Sequence, residues 1–121
     1  MLRELKKGSL GLLVLQMLYE QPSYGWAICQ RLHERSAGAL TFEDSAIYPL
    51  LHAFERDGLA EGYWETQEVD EAPRKGPRRR FYRLAAQGVA ALHSALTDWN
   101  TFSNAVGQII HQQAYAGEGT R

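Results

Sequence analysis

Apolar residues recur along this chain in two rhythms, one helical and one alternating. From Leu5 to Tyr19, the residues Leu5, Leu12, Leu13, Leu15, Met17 and Leu18 fall on more than one side of a helix, the pattern of an element buried on several faces. Pro22 cannot continue that helix and biases Gln21 toward extended backbone, so Gln21-Pro22-Ser23 predicts its end. Ser23 is placed to cap a second helix, Tyr24 to Ser36, where Trp26, Ile28, Cys29 and Leu32 alternate with Gln30, Arg31, His33 and Glu34 and turn one side inward. Gly38 closes this helix at a left-handed terminus. Leu40 to Phe42 reads as a short strand.

Asp44 and Ser45 can cap a third helix, and Pro49, tolerated in a first turn, places its start near Asp44. Leu50, Leu51, Phe54 and Leu59 turn toward the core, while Tyr48, His52 and Arg56 lie on other faces. Gly58 followed by Leu59 predicts a Schellman stop with its hydrophobic contact. Leu59 to Thr66 and Arg80 to Leu84 have strand character, with Tyr63, Trp64, Phe81 and Tyr82 as aromatic members, and together predict a hairpin. The loop between them, 67–79, holds Pro73, Gly76 and Pro77 and is too polar and broken to be buried.

The last element is a long helix, Ala86 to Tyr115. Val89, Leu92, Leu96, Trp99, Val106 and Ile110 follow one another at steps of three, four, three, seven and four. Ser103 interrupts the seam, with Phe102 beside it. A three-four seam is the signature of a coiled coil, and a helix of that length extends ~45 Å, more than a small domain needs. Its stripe is best buried against a second chain. The tail from Ala116 to Arg121 is expected to fray.

These elements predict a mainly α fold with a small β-hairpin. Residues 1–84 form a winged helix-turn-helix domain, and 85–121 a long C-terminal dimerisation helix with a flexible tail. The 121 residues suit one domain with an appended element. Charge sharpens the picture. The formal net charge is -1, which excludes a uniformly basic histone-like protein. Yet Arg74, Lys75, Arg78, Arg79, Arg80 and Arg83 crowd into a ten-residue stretch, and such concentration suits a polyanion surface. Cys29 is the lone cysteine, so no internal disulfide forms, and a single thiol suits a reducing cytoplasm. Leu10 to Leu18 is too short to cross a bilayer and lacks a signal-peptide cleavage site after it. A cytoplasmic protein without a membrane partner is expected.

Enzyme readings lack parts. His33, His52, His93 and His111 have no tight metal-ligand spacing, and Cys29 has no nearby partner. Glu43-Asp44 and Asp70-Glu71 are accounted for by helix-dipole complementarity and solubility. No phosphate-binding glycine loop is present. No catalytic residue, metal or cofactor is expected.

The motifs come in an order that resembles the PadR family of transcriptional regulators. Leu5-Lys6-Lys7-Gly8-Ser9-Leu10 is similar to the start of that family's first helix, and Pro22-Ser23-Tyr24-Gly25-Trp26 to the turn into its second. Ile47-Tyr48-Pro49-Leu50-Leu51 and Glu55-Arg56-Asp57-Gly58-Leu59 resemble its recognition helix. Gly76-Pro77-Arg78-Arg79-Arg80-Phe81-Tyr82-Arg83-Leu84 resembles its wing, and Gly88 the glycine that opens its last helix. The likeness spans roughly residues 5 to 110 in register, in the short form with a single C-terminal helix. It departs at Ala85, where the family usually has a capping threonine, and at Ala46, where a hydroxyl for phosphate or base contact is absent.

The resemblance implies a homodimeric DNA-binding regulator, a repressor on a palindromic operator. It implies DNA contact at Lys6, Lys7, Ser45, Tyr48, His52, Arg78, Arg79 and Arg80, with the wing on phosphate and the helix around Tyr48 choosing sequence. The other reading of Tyr48 is packing against the second helix. A ligand or dimer interface is implied at Leu92, Leu96, Trp99, Val106 and Ile110, where a small aromatic or hydrophobic effector would be sandwiched by tryptophan. Plain packing of a dimer core accounts for Trp99 equally. Two alternatives stay open: a winged helix serving protein–protein contact, and a multidrug-binding protein without direct DNA regulation.

Overall fold

The computed structural model describes residues 1–66 and 78–119, with 113–119 as helical backbone. Glu68 to Glu71 and the wing-tip residues Arg74, Lys75, Gly76 and Pro77 lie outside the described residues. Among the described residues, four helices and three strands follow one another: α1 (Leu2–Glu20), β1 (Ser23–Tyr24), α2 (Gly25–Arg35), α3 (Asp44–Arg56), β2 (Ala60–Trp64), β3 (Arg80–Leu84) and α4 (Ala86–Gly119). The mainly helical fold with a small antiparallel sheet is as the hydrophobic pattern predicts.

The core gathers Val14, Leu15, Met17 and Leu18 of α1, Ile28 and Leu32 of α2, Ile47, Leu51 and Phe54 of α3, Tyr82 of β3 and Leu92 of α4. Each helix contributes the stripe that a 3.6-residue period allows. In α2 the stripe is Gly25, Ile28, Cys29 and Leu32. Trp26, expected to be buried, falls off that stripe and is 54% exposed. Gln21 is extended, with φ -169° and ψ 152°, as the following proline requires.

The sheet has the order β1-β3-β2, all pairs antiparallel. The hairpin was expected; β1 was not. Ser23 pairs with Tyr82 and Tyr24 with Phe81. Ser23 therefore does not cap α2. It is buried, its hydroxyl donates to the Gln21 carbonyl at 3.4 Å, and it accepts from Arg31 Nη1 at 2.9 Å. Glu20 receives Arg31 at 2.9 Å and also Arg35, tying the end of α1 to α2. Leu40 to Phe42 is not a strand; it forms no ladder and leads straight into α3.

The stops after α2 and α3 are both Schellman turns. After α3, Leu59 N–H donates to Phe54 O at 2.8 Å and Gly58 N–H to Glu55 O at 3.2 Å, with Gly58 at φ +79°. After α2, Gly38 N–H donates to His33 O at 2.8 Å and Ala37 N–H to Glu34 O at 3.1 Å. The first left-handed residue there is Ala37, at φ 53°, one place before the expected Gly38.

α3 starts at Asp44 as expected, with Glu43 at the cap and no side-chain cap bond. Pro49 lies beyond its first turn, where it removes the donor for the Ser45 carbonyl; Ser45 is exposed and water can take that place. α4 begins without a capping hydroxyl. Its start is pinned instead by backbone, Ala85 N–H donating to Leu59 O at 2.9 Å. Gly88 fits because it has no side chain: a Cβ there would stand 2.1 Å from the same Leu59 oxygen.

Candidate nucleic-acid interface

Ser45, Tyr48 and His52 recur at three and four residues and so share one side of α3. Ser45 and His52 are exposed and Tyr48 is half-buried. The Tyr48 ring lies on the first residue of α2: a Cβ on Gly25 would be 2.6 Å from its Cζ and 2.9 Å from its hydroxyl. The glycine thus lets the two helices close up around the phenol. Burial, then the Asp44 carboxylate, pushes the Tyr48 hydroxyl above its ordinary range, which keeps it protonated and able to donate. The His52 ring sits 6.4 Å away.

The start of α1 meets the start of α3 at a groove of about 500 Å³ bordered by Lys6, Lys7, Phe42, Ser45 and Ala46. The Lys6 ammonium rests 5.6 Å above the Phe42 ring. Two lysines and an exposed hydroxyl therefore stand at the N-terminal end of the α3 stripe.

The three arginines at the base of the wing part company. Arg78 is exposed and donates from Nε to the Glu65 carbonyl at 3.2 Å. Arg79 reaches Glu65 at 3.6 Å and lies 4.8 Å above the Tyr24 ring. Arg80, one residue on, points to the opposite face as strand geometry demands, and pairs with Glu55 of α3 at 2.8 Å. The outer face of the sheet carries a row that composition could not reveal. Tyr24, Phe81 and Tyr63 adjoin across the three strands, with centroids 5.1 and 5.9 Å apart, and Trp26 stacks on Tyr24 at 6.3 Å. Arg83, pairing with Glu61 at 3.0 Å, covers Tyr63 at 4.6 Å. The signal for this row was the period-two spacing of Arg79, Phe81 and Arg83; its missing partner was β1.

Away from this side, α4 rises from the core. Leu92 is 1% exposed and Leu96 packs partly on the same core. Leu92, expected at a ligand or dimer interface, is therefore buried in the core of its own chain. Trp99, Phe102, Val106, Ile109 and Ile110 are exposed, as are Leu2 and Leu5 of α1. Leu2, Leu5, Leu40, Trp99, Phe102 and Val106 enclose an apolar cleft of about 360 Å³. Among the described residues, no cluster of His, Cys, Asp and Glu could hold a metal ion, and no helix is long and apolar enough to cross a membrane. Cys29 is buried, its thiol pushed up to about 11 by burial and by Asp44.

A family model, the transcriptional regulator PadR-like family, matches residues 14–94, well over half of the chain. The chain belongs to the PadR-like family. A PadR family regulator from Eggerthella lenta DSM 2243 superposes with a TM-score of 0.75 at 28% identity, over 91% of this chain and 88% of its own. A Streptococcus transcriptional regulator does so with a TM-score of 0.68 at 30% identity, over 87% and 95%. Bacillus subtilis PadR, solved in complex with operator DNA, shares the fold with a TM-score of 0.60 at 22% identity, over 72% of this chain and 46% of its own. The PadR-like chain is thus a transcriptional regulator of winged-helix fold.

Proposed function

We propose that this PadR-like regulator is a homodimeric repressor of the short form that binds a palindromic operator. Residues 1–84 serve as the DNA-binding part and 85–121 as the dimerisation helix and tail. The observation that carries the reading is the alignment of Ser45, Tyr48 and His52 on one side of α3, with Lys6 and Lys7 at its start and Arg78 and Arg79 on the neighbouring wing. A phenol and an imidazole can serve base edges or phosphate, and the flanking cations displace counterions. The operator complex of Bacillus subtilis PadR supports the same partner here.

The exposed apolar stripe of α4 supports dimerisation through Trp99, Val106 and Ile110, with Leu96 at its edge. The cleft beside Trp99 has the size and lining for a small, flat hydrophobic effector, which releases DNA if it binds the two lobe arrangements with unequal affinity. A gel-shift titration with duplex from upstream of the protein's own gene tests the central claim. Retardation stronger than with scrambled duplex, weakening with salt, is expected. No retardation at low salt overturns DNA binding and leaves a protein–protein or multidrug-binding role.

A further inference from the structure

Among the three arginines at the base of the wing, Arg80 is the one whose charge is paired to a helix. Its Nη2 donates to Glu55 Oε2 at 2.8 Å, and the two side chains are 31% and 35% exposed. The guanidinium lies 5.2 Å from the centre of the Trp64 ring and 6.0 Å from that of Tyr82. Gly62 makes the room: a Cβ there would stand 2.8 Å from Arg80 Nη2 and 2.8 Å from Glu55 Oε2. The ion pair therefore rests on bare backbone. Three elements meet in it: α3 through Glu55, β2 through Gly62 and Trp64, and β3 through Arg80. Glu55 is in the last turn of the helix that carries Tyr48 and His52, and Arg80 directly follows Arg78 and Arg79.

We propose that the Glu55–Arg80 ion pair, seated on Gly62, is a clamp that sets the hairpin against α3, making Arg80 a positioning residue and not a phosphate contact. The consequence for DNA rests on the operator-binding reading above. A clamp and a phosphate contact differ in sign at Glu55. If Arg80 served phosphate, Glu55→Ala would remove a competing carboxylate and free the guanidinium. Binding would tighten, and the slope of log K against log salt would steepen by up to ~0.9 for one more phosphate. If the pair is a clamp, the same change lets the hairpin drift and takes Arg78 and Arg79 off register. Binding then weakens, about three- to tenfold for a half-exposed, charge-assisted hydrogen bond, and the salt slope becomes shallower. Glu55→Gln, which can still accept from Arg80, should lose less than Glu55→Ala. Gly62→Ala alters no charge and should weaken binding as well.

The test measures affinity and salt slope for the full-length variants, together with amide hydrogen exchange. Faster exchange in 60–64 and 80–84 with α1 and α2 unchanged is expected for Glu55→Ala, or for Glu55→Gln to a lesser degree should the alanine variant not fold. Tighter binding with a steeper slope, or unaltered exchange in both strands, overturns the clamp. Should the wild-type protein bind no duplex, the operator reading falls, and the exchange data still decide whether the pair holds the hairpin.

Discussion

Ala37 occupies the left-handed region at φ 53°, where a Cβ crowds the following carbonyl. A glycine there carries no such strain, so Ala37→Gly should raise stability by about 1 kcal/mol, read as a higher denaturant midpoint at constant m-value. Gly88 is the opposite case. Its absent Cβ would lie 2.1 Å from a backbone oxygen that cannot retreat, so Gly88→Ala should destabilise by about 3 kcal/mol in the same measurement. Cys29 links residue chemistry to pH. Its thiol rises from 9.0 to about 11 on folding, so the folded chain holds the proton more tightly than the unfolded one. That contribution is complete below the unfolded value and is lost as pH rises from 9.0 to about 11. Unfolding free energy should fall over that window, and less steeply in Cys29→Ala. These effects hang on φ angles and close approaches, which a string of residue types does not display. The Gly58 stop was legible because glycine plus a following leucine is nearly sufficient for a Schellman turn; the stop after α2 was legible at Gly38 but one residue late, because the alanine that begins it carries no such mark.

Among elements, the helices were legible and the sheet only in part. Helical periodicity is a local property, and α3 and β3 lie where the pattern sets them. β1 is two residues long, and its existence depends on a strand almost sixty positions away. Missing it also misassigned Ser23 as a helix cap. α4 divides into two stretches that its single apolar seam did not separate. Leu92 and Leu96 turn to the core, whereas Trp99, Phe102, Val106, Ile109 and Ile110 stay exposed. The interruption at Ser103 is where the exposed stripe runs through Phe102 instead. Ile110, 60% exposed, supports no core contact. Ile110→Asp should therefore halve the sedimenting mass while leaving helical circular dichroism intact. Leu96→Asp should lower the melting temperature as well, since it also strikes the core. A variant Ile110→Asp that still sediments as a dimer would move the interface elsewhere.

Over the whole molecule, the cationic and polar candidates come from three separate elements although the formal net charge is -1. Lys6 and Lys7 come from α1, Ser45, Tyr48 and His52 from α3, and Arg78 and Arg79 from the wing. The candidates were legible as motifs in order, and strand alternation turns one of the three wing arginines away from its neighbours; that this one is Arg80 was not legible, because its Glu55 partner is remote in sequence. Replacing Arg78 and Arg79 together with alanine should weaken binding to all duplexes alike and flatten the salt slope by up to ~0.9 for each phosphate left without its arginine. An unchanged slope would mean that the base of the wing does not touch phosphate. The carbonyl of Leu59 gives this arrangement a mechanical side. The same residue's N–H closes the turn after α3, its backbone leads into the hairpin, and its carbonyl accepts the Ala85 N–H that roots α4. From Ala86 to Gln112 the helix runs for ~39 Å, so a tilt of ~10° at that root displaces the far end by ~7 Å. The joint is placed as a fulcrum with unequal arms: a wide swing at the distal end of α4 would be geared down to a small rotation of α3 and the hairpin.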